Sequence, residues 1–323
     1  MNNKGFAVST FMYMLLVLGI ILLLATLSIL SSRKIILDKQ KNTAMDNSLM
    51  SRKKICKAVN GSKSLALGTK YECKVNDEDT FYFYVLSVEG SKVNLIMDRN
   101  ICKDGSTTYT ETNNYCRYAW EPNNLNENGP ITALTALGNG TRNWDNIPNI
   151  NLVYSDITDN INSGYSGAAT YGYTGITITS GVGYITKKDG TTQTPITLTD
   201  NMPLKARLPK LKEITEAGCH IYNSSTYQQD YGTCPVWLMG YMTYYNVSSY
   251  TGSGNTDKYS MNNNSEAYQN NIYGYWLISS YPGDSNDARR VFYFGFVGWT
   301  YAKYTGASGV RAVITVSKTN LYD

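Results

Sequence analysis

Apolar residues run almost without interruption from Phe6 to Leu30, and no charge falls inside that run before Arg33. A hydrocarbon core of ~30 Å needs only ~20 helical residues, so this length predicts a spanning helix over 6–31. A secretory core segment is shorter, ~7–15 residues, and Ala25 and Ser28 lie too deep in the run for its cleavage site. The next stretch, residues 32–59, lacks Pro and has no Gly, with apolar residues at Ile36, Met45, Leu49 and Ile55. Its spacing, although irregular, predicts a continuing stalk helix. From about Asn60 to Asp323 the pattern changes to short apolar runs broken by Gly, Pro and Asn, long enough for a sizeable core.

Within that third region, 81–88 and 92–98 are rich in Phe, Tyr, Val, Leu and Ile around Glu89-Gly90, predicting a hairpin. "NGPITALTALG" predicts a short helix, with Asn128 near its N-cap, Pro130 in the first turn and Gly138 past its end. "RLPKLKEITEAG" predicts another, begun by Pro209 and stopped by Gly218. Between them lies a Gly- and Thr-rich tract with alternating Ile and Thr, which reads as loop and edge hairpin. "GYWLISS", "RRVFYFGFVGW" and "GVRAVITVS" supply three strands near the end. The fold class expected is α+β: a long N-terminal transmembrane and stalk helix, then a domain with an antiparallel sheet.

The 6 cysteines, Cys56, Cys73, Cys102, Cys116, Cys219 and Cys234, all follow the apolar run. Their even number implies disulfides in an oxidising compartment. Sequence does not choose among the possible pairings, but neighbours in the chain are the simplest partners: Cys56–Cys73, Cys102–Cys116 and Cys219–Cys234. Each would close a loop of ~15 residues, contributing ~3 kcal/mol in the chain-entropy account. There is no C-x-x-C and a single histidine, His220, so neither a metal nor another cofactor is expected. Positive residues flank the run unevenly, with Lys4 before it and Arg33, Lys34, Lys39 and Lys41 after it. That count alone favours an internal C-terminal part; the cysteines favour an external one and are given more weight. The expected location is the cell membrane, single-pass, with the domain outside.

Charged residues make up 17% of the chain, below the ~25% of typical soluble proteins. Tyr is abundant at 28 and Gly at 27, residues that binding surfaces favour. A net charge of +4, with no basic run beyond Arg52–Lys54, gives no reason to expect nucleic acid.

Lys4, Gly5 and Phe6, followed by the helix from Ala7, resemble the leader of type IV pilins and pseudopilins. The resemblance implies a leader over 1–5, cleavage between Gly5 and Phe6 by a prepilin peptidase, and other pilins as partners. Thr10 stands where that family usually has a glutamate. A second resemblance lies in the last 120 residues or so. Arg207-Leu208-Pro209 before a helix, "WLISS" at Trp276–Ser280 and "GVRAV" at Gly309–Val313 follow the order of the formylglycine-generating-enzyme-like branch of the C-type lectin fold. The variable proteins of diversity-generating retroelements share that fold. The resemblance implies an extracellular C-type-lectin-like domain over 60–323, with its ligand-binding segment at about 274–316. No cysteine follows Cys234, so the branch's oxidase activity is not implied.

No enzyme is expected, because His220 has no nucleophile signature with it. "EPNNLNENG" at Glu121 and "NWDN" at Trp144 resemble a calcium-dependent sugar signature, but they precede the R-L-P turn and read better as polar loops. The strongest surface is 281–304. Taken as one strand, its residues divide into Val291, Tyr293, Gly295 and Val297 on one face and Arg290, Phe292, Phe294 and Phe296 on the other. Tyr281, Trp299, Tyr301 and Tyr304 extend the aromatic side, and Asp284, Asn286, Asp287 and Arg289 give a polar rim. Aromatic and arginine anchors inside a polar surround build protein-binding patches. The expected partner is an external protein or glycan; the alternative is a structural minor pilin or pseudopilin without a ligand of its own.

Overall fold

The computed structural model describes residues 13–14, 16–18, 53–107, 116–155, 171–198, 201–222, 232–239, 274–292, 295–305 and 308–323. The chain divides into two compact units, Met1–Met50 and Ser51–Asp323. In the first, the few described residues, Tyr13, Met14 and Leu16 to Leu18, are helical and exposed. Among the described residues no helix is long and apolar enough to cross a membrane. This corrects the expected transmembrane and stalk helix, and with it the expected single-pass location. Gly5 and Phe6 lie outside the described residues.

The end of the expected stalk is a strand. β1 (Cys56–Ala58) alternates buried, exposed, buried, and Cys56 is bonded to Cys73 across the antiparallel pair with β2 (Lys70–Lys74). A short run with period two buries its alternate residues against a neighbouring strand.

The second unit is sheet-rich, which corrects the α+β reading: among the described residues its strands form three sheets and its helices are short. The largest sheet has the order β12-β4-β3-β2-β1-β13. Its centre is the hairpin of β3 (Thr80–Glu89) and β4 (Lys92–Met97), turning at Gly90, where φ is 57°. β12 (Val313–Ser317) pairs antiparallel with β4, and β13 (Leu321–Tyr322) lies parallel to β1. The second sheet is β5-β6-β7-β8, built from Leu152–Tyr154, Tyr173–Thr179, Val182–Lys187 and Gln193–Thr197. The third is β11-β10-β9, from Phe296–Tyr301, Asp287–Phe292 and Gly274–Ser280.

Helix α1 (Ile131–Thr141) starts after Pro130 as expected but runs past Gly138. Gly140 lets it close on the chain: a Cβ there would stand 2.3 Å from the Cys102 carbonyl oxygen. Helix α2 (Leu211–Glu216) follows the R-L-P turn and is followed by Gly218, with φ 110°. A single turn, α3 (Val236–Met239), comes before β9.

The core falls into two clusters, and β9 lies between them. Trp276 and Ile278 join the larger cluster, which spans the six- and four-stranded sheets and α1. Tyr275 and Leu277 join the smaller one, with Leu211, Ile214, Val291 and Val297. All seven residues of β9 are buried. The three motifs of the second resemblance meet here. Arg207 and Val313 exchange main-chain hydrogen bonds of 3.0 and 2.9 Å, Trp276 N–H donates to Gly309 O at 3.1 Å, and Ile278 N–H to Pro209 O at 2.9 Å. The Arg207 guanidinium forks onto Glu213 at 2.7 and 2.5 Å. Burial raises the Glu213 pKa, but Arg207 outweighs it and holds the carboxyl below its ordinary value. The three disulfides pair Cys56–Cys73, Cys102–Cys116 and Cys219–Cys234. They agree with an oxidising compartment.

Candidate functional site

The stretch expected to run as one strand through 290–297 turns back on itself. Gly295, at φ 75°, donates its N–H to Phe292 O at 2.9 Å, and β10 and β11 pair antiparallel on either side. Glycine adopts that left-handed conformation without steric cost. The hairpin changes which residues are neighbours. Arg289 now stands opposite Trp299, Phe292 opposite Phe296, and Asp287 opposite Tyr301.

One face of the hairpin carries an aromatic–arginine stack. The Tyr281 and Trp299 rings are parallel, 1° apart in plane, with centroids at 4.4 Å. The Arg289 guanidinium lies 4.7 Å from the Tyr281 ring and 5.6 Å from the Trp299 ring. Tyr222 meets Trp299 edge-on at 5.4 Å and Phe296 at 5.5 Å. On the other face Phe292 and Phe296 stack at 5.2 Å, and Arg290 sits 3.7 Å over Phe292 and donates to Ser308 Oγ at 3.0 Å. Such pairs contribute ~0.5–1.5 kcal/mol each beyond area burial, and their flat rings lose little conformational freedom.

Exposure divides the sequence-derived residues. Asp287, Arg289, Arg290 and Phe296 are buried, so they support the face from below. Tyr281, Asp284, Asn286, Phe292 and Trp299 are half-buried. Tyr301 and Tyr304 are 58% and 45% exposed and form the accessible edge. Phe294 and Tyr293 lie outside the described residues.

Two residues that sequence reasoning did not select organise the site. Tyr222, from the Cys219–Cys234 loop, fills the angle between Trp299 and Phe296; no local signal marks it. Asn126, fully buried, holds the loop before β10. Its amide donates to the carbonyls of Tyr281, Asp284 and Asp287 at 2.9, 2.7 and 2.9 Å, and its N–H to Ser285 O at 2.8 Å. The loop also closes internally, with Asn286 N–H donating to Asp284 Oδ1 at 2.9 Å. Burial, and then the nearby Asp284 charge, push the Asp287 carboxyl up to about 6.

Glu121 is turned inward. Its carboxylate accepts from the N–H groups of Asn123 and Leu125, both at 2.8 Å, and from the Asn123 and Asn128 amides. It braces the turn that presents Asn126, and no group of three or more metal-ligating side chains occurs among the described residues. The His220 main chain ties down β11: its N–H donates to Thr233 Oγ1 at 2.9 Å and its carbonyl accepts from Val297 N–H at 2.9 Å.

In comparisons with family models, with curated proteins and with solved structures, nothing matches this chain. The pilin-like and lectin-like resemblances therefore rest on its own residues. What the arrangement can do is hold a ligand by stacking on Tyr and Trp, by the Tyr301 and Tyr304 hydroxyls, and by the Asp284 and Asn286 rim.

Proposed function

We propose that this chain is a recognition protein that works by binding, not by catalysis, and that the β10–β11 hairpin with the loop before it receives an external protein or glycan. The observation that carries this is the braced stack of Tyr281, Trp299 and Arg289 beside the exposed Tyr301 and Tyr304. Large aromatic side chains are left at an accessible edge, while a buried asparagine fixes the loop that frames them. Binding faces made of preordered aromatic and arginine anchors lose little entropy when a ligand arrives. The three disulfides support action in an oxidising environment. The resemblance of the last 120 residues to retroelement variable proteins, in which this stretch contacts the ligand, supports the same face.

The test is a screen of the full chain, purified oxidised, against extracellular proteins and a glycan array. Any ligand found is then measured against Trp299→Ala. A hot-spot loss of ~2 kcal/mol, roughly thirty-fold in Kd, is expected. A ligand whose affinity is unchanged in that variant would place recognition elsewhere on the molecule.

A further inference from the structure

The register of the third sheet decides which main-chain groups of β11 are already used. Its even-numbered residues face β10; Ala302 extends the series by donating its N–H to Asn286 O at 2.7 Å. The odd-numbered residues turn their N–H and C=O to the other side. Val297 shows this directly. It donates to His220 O at 2.9 Å and accepts from Tyr222 N–H at 2.8 Å, so Ile221 meets the edge in an isolated parallel bridge.

Two residues further on, no described residue continues that cover. The Trp299 N–H and C=O and the Tyr301 N–H point the same way as those of Val297. No hydrogen bond is made by these three groups in the structure of the described residues. The Tyr301 carbonyl turns to Tyr304 N–H at 2.9 Å and ends the strand. The opposite edge of the sheet, β9, differs, since Gly309 and Pro209 accept from Trp276 and Ile278. At β8, an edge of the four-stranded sheet, Pro195 removes a donor.

The geometry points to strand addition: β11 takes up an extended segment of a partner polypeptide alongside Trp299–Tyr301. This inference rests on the proposed binding face and names the chemistry of its ligand. Only a polypeptide backbone offers a donor and an acceptor repeated every second residue, which is what an open strand edge accepts. Two residues upstream the same edge already accepts main-chain pairing, at the parallel bridge between Val297 and Ile221. Trp299, Tyr301 and Arg289 share the face beside it, so alternate side chains of the incoming strand would meet the aromatic stack.

The full chain, oxidised, is panned against displayed random linear peptides and, in parallel, against a glycan array. Strand addition expects linear peptides to be selected. Single N-methyl groups along a selected peptide should weaken binding at every second position, roughly ten-fold for each lost hydrogen bond. Tyr301→Pro should bind about ten-fold more weakly than Tyr301→Ala, since both lose the ring but only proline loses the edge donor. If Tyr301→Pro fails to fold, the N-methyl scan still decides. Peptides indifferent to N-methylation but weakened by Trp299→Ala would overturn strand addition and leave the binding face standing. Glycans bound through Trp299 with no peptide selected would do the same. Ligands of either class unaffected by Trp299→Ala, or no ligand of either class, would overturn both.

Discussion

The three-stranded and four-stranded sheets of this molecule are made differently. In the four-stranded sheet, β7 alternates, with Ile185 buried and Val182 and Tyr184 exposed. The row Val153, Thr177, Tyr184, Pro195 crosses its outer side without a charge. In the three-stranded sheet every residue of β9 is buried, and β10 buries two arginines among its apolar residues. A sheet with one wet face can be read from its alternation. A sheet wedged between two cores cannot, because both sets of alternate residues are covered. Among its described residues the sheet is exposed where β11 ends, at Tyr301, with Tyr304 just beyond it, and that is where the candidate site lies.

The comparison breaks most visibly at Trp276. If β9 is held between two cores, Trp276→Ala leaves a cavity costing about 3–5 kcal/mol. For a unit of this size that lowers Tm by roughly 10 °C. A fall of only ~2 °C in thermal unfolding would mean that the face is not packed as described.

Asp287, at the start of β10, gives a smaller and pH-dependent effect. Its carboxyl titrates near 3.8 in an ordinary setting and at about 6 in the fold. The native state therefore holds this proton more tightly than the unfolded chain. Its contribution favours folding at low pH and is lost as pH rises through about 6. Asp287→Asn should raise stability by about 1–2 kcal/mol near neutral pH, less than the full shift implies because the rim is partly solvated. The difference from wild type should close below about pH 4. Chemical denaturation across pH measures it, and a gain that persists in acid would assign the effect to something other than this carboxyl.

The smallest effect belongs to the four-stranded sheet. Val153 is 72% exposed, and Val153→Thr keeps the β-branch. Its stability should change by less than ~0.5 kcal/mol. A larger loss would show that the outer face is covered and would remove the contrast between the two sheets.

Much of the local structure was legible. The hairpin at Glu89-Gly90, the helix after Pro130 and the helix after Pro209 follow from runs rich in Phe, Tyr, Val, Leu and Ile and from proline and glycine placement. The disulfide pairs joined nearest neighbours in the chain, where the loops are short. The readings that failed concerned partners. Cys56–Ala58 reads as part of a stalk because three residues cannot declare a period; pairing with β2 and β13 makes them a strand. The stretch 290–297 reads as one strand because its aromatic alternation continues across Gly295, where the chain turns.

By itself, the sequence determined the turn at Glu89-Gly90, the helix starts at Pro130 and Pro209, and that its cysteines belong to an oxidising environment, because each depends on residues close together in the chain. Only the tertiary structure decided that both sides of β9 are inside, that Trp299 rests on Tyr281 and Arg289, and that Asn126 fastens the loop between them. Those contacts join residues as much as 161 positions apart. Side-chain chemistry permits them, but burial against distant elements selects them.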